Sequence, residues 1–215
     1  MGKYYPESKV EIEGFMAKHY DSLMNIVSFG SYSSFIEKAV ERMEIRPADR
    51  LLDLGAGTGR NACLMMKHLS EEGELLGIDV SAEMVSMFEK MCAGLPNAKI
   101  VQARIDQPLQ LEGRYDKAFI SFVLHGFPQE VRETILDNAF ENLKEDGQFF
   151  ILDYSEFDYH KAPFYVKGFF KIVECPYAFD FIGRDWKKIL SDHGFVRFAK
   201  YPFFKGYVTL LAAGR

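Results

Sequence analysis

Two carboxylates and a run of glycines form the part of the sequence best suited to binding a charged ligand. Asp53 lies in a short apolar run that leads into the glycine-rich segment 55–59. Glycines permit tight backbone angles and leave bare main chain for a ligand beside a helix N-terminus. Asp79 ends the next apolar run, where a carboxylate can accept hydrogen bonds from both hydroxyls of a ribose. The pattern predicts a nucleotide-type ligand at the carboxyl ends of parallel strands.

The position of Asp53 separates the possible ligand classes. Residues 57–62 also satisfy the dinucleotide fingerprint G-x-G-x-x-A. Asp53 would then face a pyrophosphate, which is unfavourable, whereas facing the ammonium group of a methionine moiety is favourable. No P-loop lysine follows the glycines, which argues against a nucleoside triphosphate. The pattern therefore favours a sulfonium cofactor, with a nicotinamide oxidoreductase as the alternative.

Strands and helices alternate from residue 50 onward. Strand-like apolar runs cover 51–55, 74–79, 98–103, 117–123 and 148–154, and helical periodicity covers 60–70, 81–93 and 128–143. This alternation predicts a parallel sheet with helices on both faces. The runs 195–204 and 206–215 are too close for a crossover helix and predict an antiparallel hairpin. Two helices, over 7–28 and 31–45, precede these elements.

The composition excludes several classes of function. The chain has 215 residues and a net charge of −5 without a basic run, which disfavours nucleic acid as a partner. Its three cysteines are far apart in the sequence and suggest a reduced compartment. The five histidines show no metal-ligand spacing, so no metal is expected. Without an apolar leader or a run of about 18 apolar residues, we expect a cytoplasmic protein with no transmembrane segment.

The ordered motifs resemble those of class I S-adenosylmethionine-dependent methyltransferases. Residues 51–61 (LLDLGAGTGRN) resemble the first motif, 78–81 the acid after strand two, and 143–147 (LKEDG) the turn before strand five. The resemblance implies a doubly wound, Rossmann-like α/β fold with a seven-stranded sheet that is mostly parallel and ends in an antiparallel hairpin. It also implies one domain over 1–215, divided into an N-terminal helical cap (1–47), a cofactor-binding core (48–154), a substrate lid (155–182) and a closing helix and hairpin (183–215).

The resemblance also implies the residues that bind S-adenosylmethionine. They are Tyr20, Asp53, Gly55, Ala56, Gly57, Thr58, Gly59, Asn61, Asp79, Val80, Met84, Arg104, Ile105, Ser121 and Phe122. Asp53 would lie near the amino group of the methionine part. Val80 and Met84 would flank the adenine, although Met84 at its helical position is equally expected in the core. Arg104 stands where many relatives carry an acid, and Asp106 either substitutes for that acid or is a solvated turn residue.

The N-terminal segment points to one branch of this family. Residues 15–25 (FMAKHYDSLMN) resemble the opening of the ubiquinone and menaquinone C-methyltransferases, in which Tyr20 would cover the cofactor. At strand four the chain departs from that branch: His125 and Gly126 replace an arginine and an asparagine. An unperturbed imidazole titrates near pH ~6.5, so His125 is a candidate base or substrate anchor. The alternative is that His125 only lines the pocket or binds a backbone carbonyl.

The aromatic segment after strand five bears on the substrate. Residues 154–181 interleave aromatics with lysines and follow the last parallel strand, where an insert would cover the substrate. This composition predicts an apolar or aromatic methyl acceptor, with quinone-type C-methylation as the leading hypothesis. It is also compatible with peripheral contact between the protein and lipid. The alternatives are O-, N- or S-methylation of another metabolite or lipid headgroup, and a non-catalytic cofactor-binding subunit. The oligomeric state stays open.

Overall fold

The computed structural model describes Ser8 and residues 32–215. Tyr20 lies outside these residues, and so does the predicted helix over 7–28 apart from Ser8. The second predicted helix is present, and it covers Tyr32–Glu41. Among the described residues, none of the helices combines the length and hydrophobicity that a membrane span requires.

Seven strands form one sheet. They are β1 (Arg50–Leu54), β2 (Glu74–Asp79), β3 (Ala98–Gln102), β4 (Tyr115–Ser121), β5 (Leu143–Tyr154), β6 (Arg197–Phe203) and β7 (Val208–Gly214). Their order is β3-β2-β1-β4-β5-β7-β6. The first five strands run parallel, and β7 is antiparallel to both β5 and β6. The predicted sheet, mostly parallel with a closing antiparallel hairpin, is confirmed.

Helices cover both faces of the sheet, as predicted. They are α1 (Tyr32–Glu41), α2 (Arg60–Met66), α3 (Ala82–Met91), α4 (Gln129–Asn142), α5 (Phe164–Val173), α6 (Pro176–Ile182) and α7 (Trp186–Asp192). Buried side chains of α1, α2 and α3 form the core on one face, and those of α4 to α7 form the core on the other. The fold is therefore a three-layer α/β sandwich.

The strand order places a switch point between β1 and β4. The chain continues from β1 to β2 and β3 on one side, and then returns to add β4 on the other. Loops that leave neighbouring strands in opposite directions open a crevice at the carboxyl ends of those strands. The glycine-rich segment and the turn that contains His125 both leave this edge of the sheet.

Several strand boundaries differ from the predicted ones, and two of these differences follow from backbone geometry. The fourth strand ends at Ser121 instead of residue 123, because Phe122 has a φ of 52° and leaves the extended conformation. The fifth strand begins at Leu143 instead of residue 148, because Leu143 pairs with Tyr115 ahead of a shift in register. Neither feature has a periodic signature in the sequence.

A buried arginine joins the turn after β4 to the segment that follows β5. Arg132 of α4 is fully buried. Its guanidinium donates hydrogen bonds to the carbonyls of Leu124 (3.2 Å), His125 (3.2 Å) and Tyr177 (2.7 Å). It also forms an ion pair with Asp180 at 2.6 Å. One side chain thus fixes α6 against the turn that carries His125.

We expect Arg132→Met to lower the free energy of unfolding by about 3 kcal/mol or more, because three carbonyls lose their donor in the interior. Urea denaturation measures this loss. The matched control is Arg184→Met, since Arg184 binds the same Asp180 carboxylate from a more exposed position. That change should cost less than about 1 kcal/mol. Equal losses for the two variants would contradict a special role for Arg132.

Candidate cofactor site and active site

The glycine-rich loop after β1 has a backbone that only glycine adopts easily. Gly55, Gly57 and Gly59 have φ values of 76°, 56° and 85°. A Cβ atom on Gly59 would lie 2.8 Å from the ring of Phe88, so α2 and α3 approach each other closely there. A Cβ on Gly57 would meet nothing within 4 Å. The main chain at Gly57 therefore leaves room for a ligand.

Asp53 carries a buried carboxylate at this loop. The residue is 2% exposed. Among the residues that the structure describes, Oδ2 of Asp53 has no hydrogen-bond partner. Burial, and then the charge of Asp79, raise the pKa of Asp53 to about 7. A buried polar atom without a partner is costly, and a bound cation would remove that cost.

Asp79, at the end of β2, binds the backbone of the glycine-rich loop. Its Oδ2 accepts a hydrogen bond from the backbone N–H of Gly57 at 2.9 Å, and its Oδ1 accepts one from that of Ser81 at 2.9 Å. Burial raises the pKa of Asp79, while its hydrogen bonds from backbone N–H groups oppose this effect. Each carboxylate oxygen has a second lone pair. The side chain is thus oriented by the backbone and still has acceptor capacity for hydroxyl groups.

The predicted adenine-side residues follow β2 and β3. Val80 is half-buried, and Met84 is buried in the first turn of α3, where its N–H donates to Oγ of Ser81 at 3.3 Å. Burial of Met84 is compatible with both of its predicted roles, core residue and adenine contact.

Arg104 and Asp106 form an ion pair instead of acting separately. Nε and Nη2 of Arg104 lie 3.0 and 2.5 Å from the two carboxylate oxygens of Asp106. Asp106 is buried, so its interpretation as a solvated turn residue is wrong. Ile105 between them is also buried, and its carbonyl accepts a hydrogen bond from Asn138 at 2.8 Å.

The remaining predicted residues lie at the same edge. Ala56 and Thr58 are buried in the loop, and Asn61 is half-buried in the first turn of α2. Ser121 ends β4, which pairs with β1. The side-chain oxygen of Ser121 is buried and has no hydrogen-bond partner within the described part of the chain. Phe122, which follows it, is half-buried.

His125 lies between two carboxylates. Its Nδ1 is 2.7 Å from Oδ1 of Asp153 at the end of β5, and its Nε2 is 3.3 Å from Oε2 of Glu174 just after α5. The hydroxyl of Tyr154 donates to the other oxygen of Glu174 at 2.5 Å. The backbone N–H of His125 donates to Oδ2 of Asp153 at 3.2 Å. These four side chains form a polar network between β4, β5 and the segment after α5.

Comparison with known proteins gives consistent results. Residues 51–147 match the family described as "Methyltransferase domain". Demethylmenaquinone methyltransferase of Lactobacillus johnsonii is 26% identical over 144 residues, which are 66% of this chain and 58% of that protein. The enzyme of the same name from Geobacillus kaustophilus is 27% identical over 143 residues, 66% of this chain and 60% of its own length. The chain thus matches about three-fifths of each relative.

A solved structure shows the same fold. A SAM-dependent methyltransferase from Aquifex aeolicus has a TM-score of 0.68 at 20% identity, and the match covers 94% of this chain and 99% of that one. Residues 51–147 are thus similar to a methyltransferase domain, and the chain has the fold of this neighbour. The predicted similarity to the quinone C-methyltransferases is also confirmed by the names of the two curated relatives.

Two features of the site fit S-adenosylmethionine, the cofactor that the sequence predicts. The Oδ2 atom of Asp53, which lacks a partner among the described residues, suits the ammonium group of the methionine part. The open backbone at Gly57 lies beside the carboxylate of Asp79, which suits a ribose. The resemblance implied these roles for Asp53 and Asp79, whereas it implied contact with the methionine part for Gly57.

The geometry argues against His125 as a base, which was one of its predicted roles. Burial alone would lower the pKa of His125, but the nearby carboxylates of Asp153 and Glu174 outweigh burial and raise it to about 10. The imidazole therefore holds its proton at neutral pH, with both ring nitrogens facing acceptors. The sequence missed Asp153 and Glu174 as partners, and the acid at 153, at the end of the last parallel strand, was the available signal.

We expect the affinity for S-adenosylmethionine to depend on the ionisation of Asp53. A bound ammonium favours the carboxylate, so binding should weaken at least about tenfold between about pH 7.5 and about pH 5.5, as Asp53 becomes protonated. Asp53→Asn should bind more weakly and lose most of this pH dependence. Calorimetric titration measures both. Asp49→Asn is the control, because Asp49 is a buried acid paired with Lys117 at the opposite end of β1.

The ligand-free protein should show the opposite effect of Asp53 on stability. The pKa of Asp53 is raised in the folded state, so its stabilising contribution is present below about pH 4 and is lost as the pH rises through about 7. Asp53→Asn without ligand should therefore unfold at a higher temperature than the natural protein at about pH 8. A lower melting temperature there would contradict the burial of an uncompensated charge.

Gly57→Ala should reduce cofactor affinity about tenfold or more, because the new methyl group occupies space where the ligand meets bare backbone. The control is Gly206→Ala, since Gly206 has a φ of 90° and also meets nothing within 4 Å of an added Cβ. It lies between β6 and β7, three strands from β1. Both variants should lose similar stability, about 1 kcal/mol, through backbone strain. Equal affinities for the cofactor would contradict a ligand at Gly57.

Proposed function

We propose that the protein transfers the methyl group of S-adenosylmethionine to a carbon atom of an aromatic, quinone-type small molecule. The observation that carries the proposal is the buried carboxylate of Asp53 beside the open backbone of Gly57, which together form a site for a cationic nucleoside. The curated relatives named demethylmenaquinone methyltransferase support the choice of acceptor.

Aromatic side chains at the ends of β4 and β5 support an aromatic acceptor. The rings of Phe122 and Tyr154 are 6.0 Å apart, and those of His125 and Tyr154 are 5.0 Å apart. Both pairs lie at the switch-point edge, where an open α/β sheet binds its ligands. Flat apolar walls with a few polar groups are typical of sites for small aromatic molecules.

S-adenosylmethionine supplies an electrophilic methyl group on a sulfonium. The protein's contribution is to bind both partners in line and to exclude water. In our proposal His125 is a positioning residue: as an imidazolium it holds the carboxylate of Glu174 beside the hydroxyl of Tyr154. Glu174 is then the group that takes a proton from a hydroxyl of the acceptor, which makes the ring carbon electron-rich.

In this proposal the segments of the chain have the functions that the sequence predicts. Residues 155–182 serve as the substrate lid over the core of 48–154, and Tyr20 of the cap over 1–47 covers the cofactor. The acceptor is a small molecule and not a nucleic acid, which agrees with the net charge of −5. A cytoplasmic location is supported by the cysteine content of the sequence.

The test is incubation with methyl-labelled S-adenosylmethionine and a cell extract, followed by separation into lipid, aqueous and macromolecular fractions. We expect label in the lipid fraction, and Asp53→Asn should reduce it because it binds the cofactor more weakly. Label in the aqueous fraction alone would replace the quinone with a polar metabolite methylated at O, N or S. Binding of the cofactor without any labelled product would favour a non-catalytic subunit.

The assignment of Glu174 is tested in the same assay. Glu174→Gln should lower kcat about a hundredfold, the usual scale of general base catalysis, while the Kd for S-adenosylmethionine changes little. His125→Asn should lower kcat as well, because Glu174 loses its partner. An unchanged kcat in Glu174→Gln would exclude the carboxylate as the base.

A further inference from the structure

Two cysteines that are distant in the sequence meet behind the glycine-rich loop. Cys63 lies in the first turn of α2, and Cys92 directly follows α3. Their sulfur atoms are 3.3 Å apart, although the residues are 29 positions apart in the chain. Their separation along the chain gives no sign of this proximity.

The pair contacts the last glycine of the cofactor loop. The thiol of Cys92 points at the carbonyl of Gly59 at a sulfur–oxygen distance of 3.9 Å, and the backbone N–H of Cys63 donates to the same carbonyl at 2.9 Å. The thiol of Cys63 is 3.7 Å from the carbonyl of Met91 at the end of α3. The backbone of Cys63 and the thiol of Cys92 therefore share the carbonyl of Gly59 as an acceptor.

We propose that Cys63 and Cys92 form a reversible disulfide when the protein meets a peroxide, and that this bond weakens the binding of S-adenosylmethionine. The thiolate of Cys63 attacks hydrogen peroxide, which gives a sulfenic acid and hydroxide. The sulfur of Cys92 then attacks the sulfenic sulfur, and the disulfide and water form. In total two thiols lose two electrons and two protons, and one peroxide becomes two waters.

The two thiols differ in the way that this sequence of steps requires. Cys63 is half-buried and therefore reachable by a small oxidant, whereas Cys92 is 4% exposed. Burial, and then the hydrogen bond and charge of Cys63, raise the pKa of Cys92 to about 12. Cys63 is thus the thiol that reacts first, and Cys92 gives up its proton only as it attacks the sulfenic sulfur, from which water leaves.

The effect on the cofactor follows from tight packing around Gly59. Disulfide sulfurs lie about 2.05 Å apart, so the two sulfurs must approach by more than an ångström. The region cannot absorb this shift easily, because a Cβ at Gly59 would already lie 2.8 Å from Phe88. The start of α2 must move, and with it the loop that meets the ligand. Reduction of the disulfide should restore the loop.

The experiment treats the whole protein with hydrogen peroxide and then maps its peptides by mass spectrometry without reduction. We expect one cross-link, between the peptides that contain residues 63 and 92. Cys175 serves as an internal control, because it is buried at the start of α6 and should stay reduced. A sulfinic acid at Cys63 without a cross-link would overturn the proposal.

Calorimetric titration tests the effect on the cofactor separately from any methyl transfer. The Kd for S-adenosylmethionine should rise about fivefold or more after oxidation and return to its first value after treatment with dithiothreitol. Cys63→Ala should bind the cofactor normally and show no response to peroxide, whereas Cys175→Ala should respond like the natural protein. A cross-linked protein with an unchanged Kd would overturn the effect on the cofactor.

Discussion

The burial of the Asp53 carboxylate at the end of β1 is the constraint on which the cofactor site depends. A carboxylate in the interior without a partner destabilises the fold unless a cation is bound beside it. The loop after β1 brings bare backbone next to this charge, and Asp79 holds that backbone through the N–H of Gly57. The glycines and the two acids are thus parts of one arrangement, in which folding leaves a charge that the ligand neutralises.

A second buried carboxylate, at the end of β5, behaves in the opposite way. Asp153 is paired with His125, and the network extends through Glu174 to the hydroxyl of Tyr154. Asp53 belongs to the face of the sheet covered by α1 to α3, whereas His125 contacts Phe181 of the other core. One polar centre lacks a partner among the described residues and the other is satisfied within the protein. The first centre therefore suits a cationic ligand, whereas the second is already ordered before any acceptor binds to Glu174.

The sequence predicted the features that depend on neighbours in the chain. The glycine loop, the order of strands and helices, and the closing hairpin follow from local periodicity and from glycine positions. The partners of His125 did not follow, because Asp153 is 28 residues away and meets it only after β4 and β5 have paired. The contact between Cys63 and Cys92 did not follow from the sequence either, because the two residues are 29 positions apart. Residue types thus indicated the ligand, while long-range pairing decided the protonation state of His125.

The same long-range contacts restrict the movement of the aromatic segment after β5. Its inner side chains, such as Phe170 and Phe181, are buried in the core, so they stabilise the segment and do not line an open pocket. Glu174 and Arg132 bind the segment to the turns at the strand ends. If it moves to admit an acceptor, contacts to His125 or Tyr177 must break. The identity of the acceptor and the stability of this segment are therefore coupled, because an acceptor hydroxyl that binds Glu174 competes with the contacts that hold the segment closed.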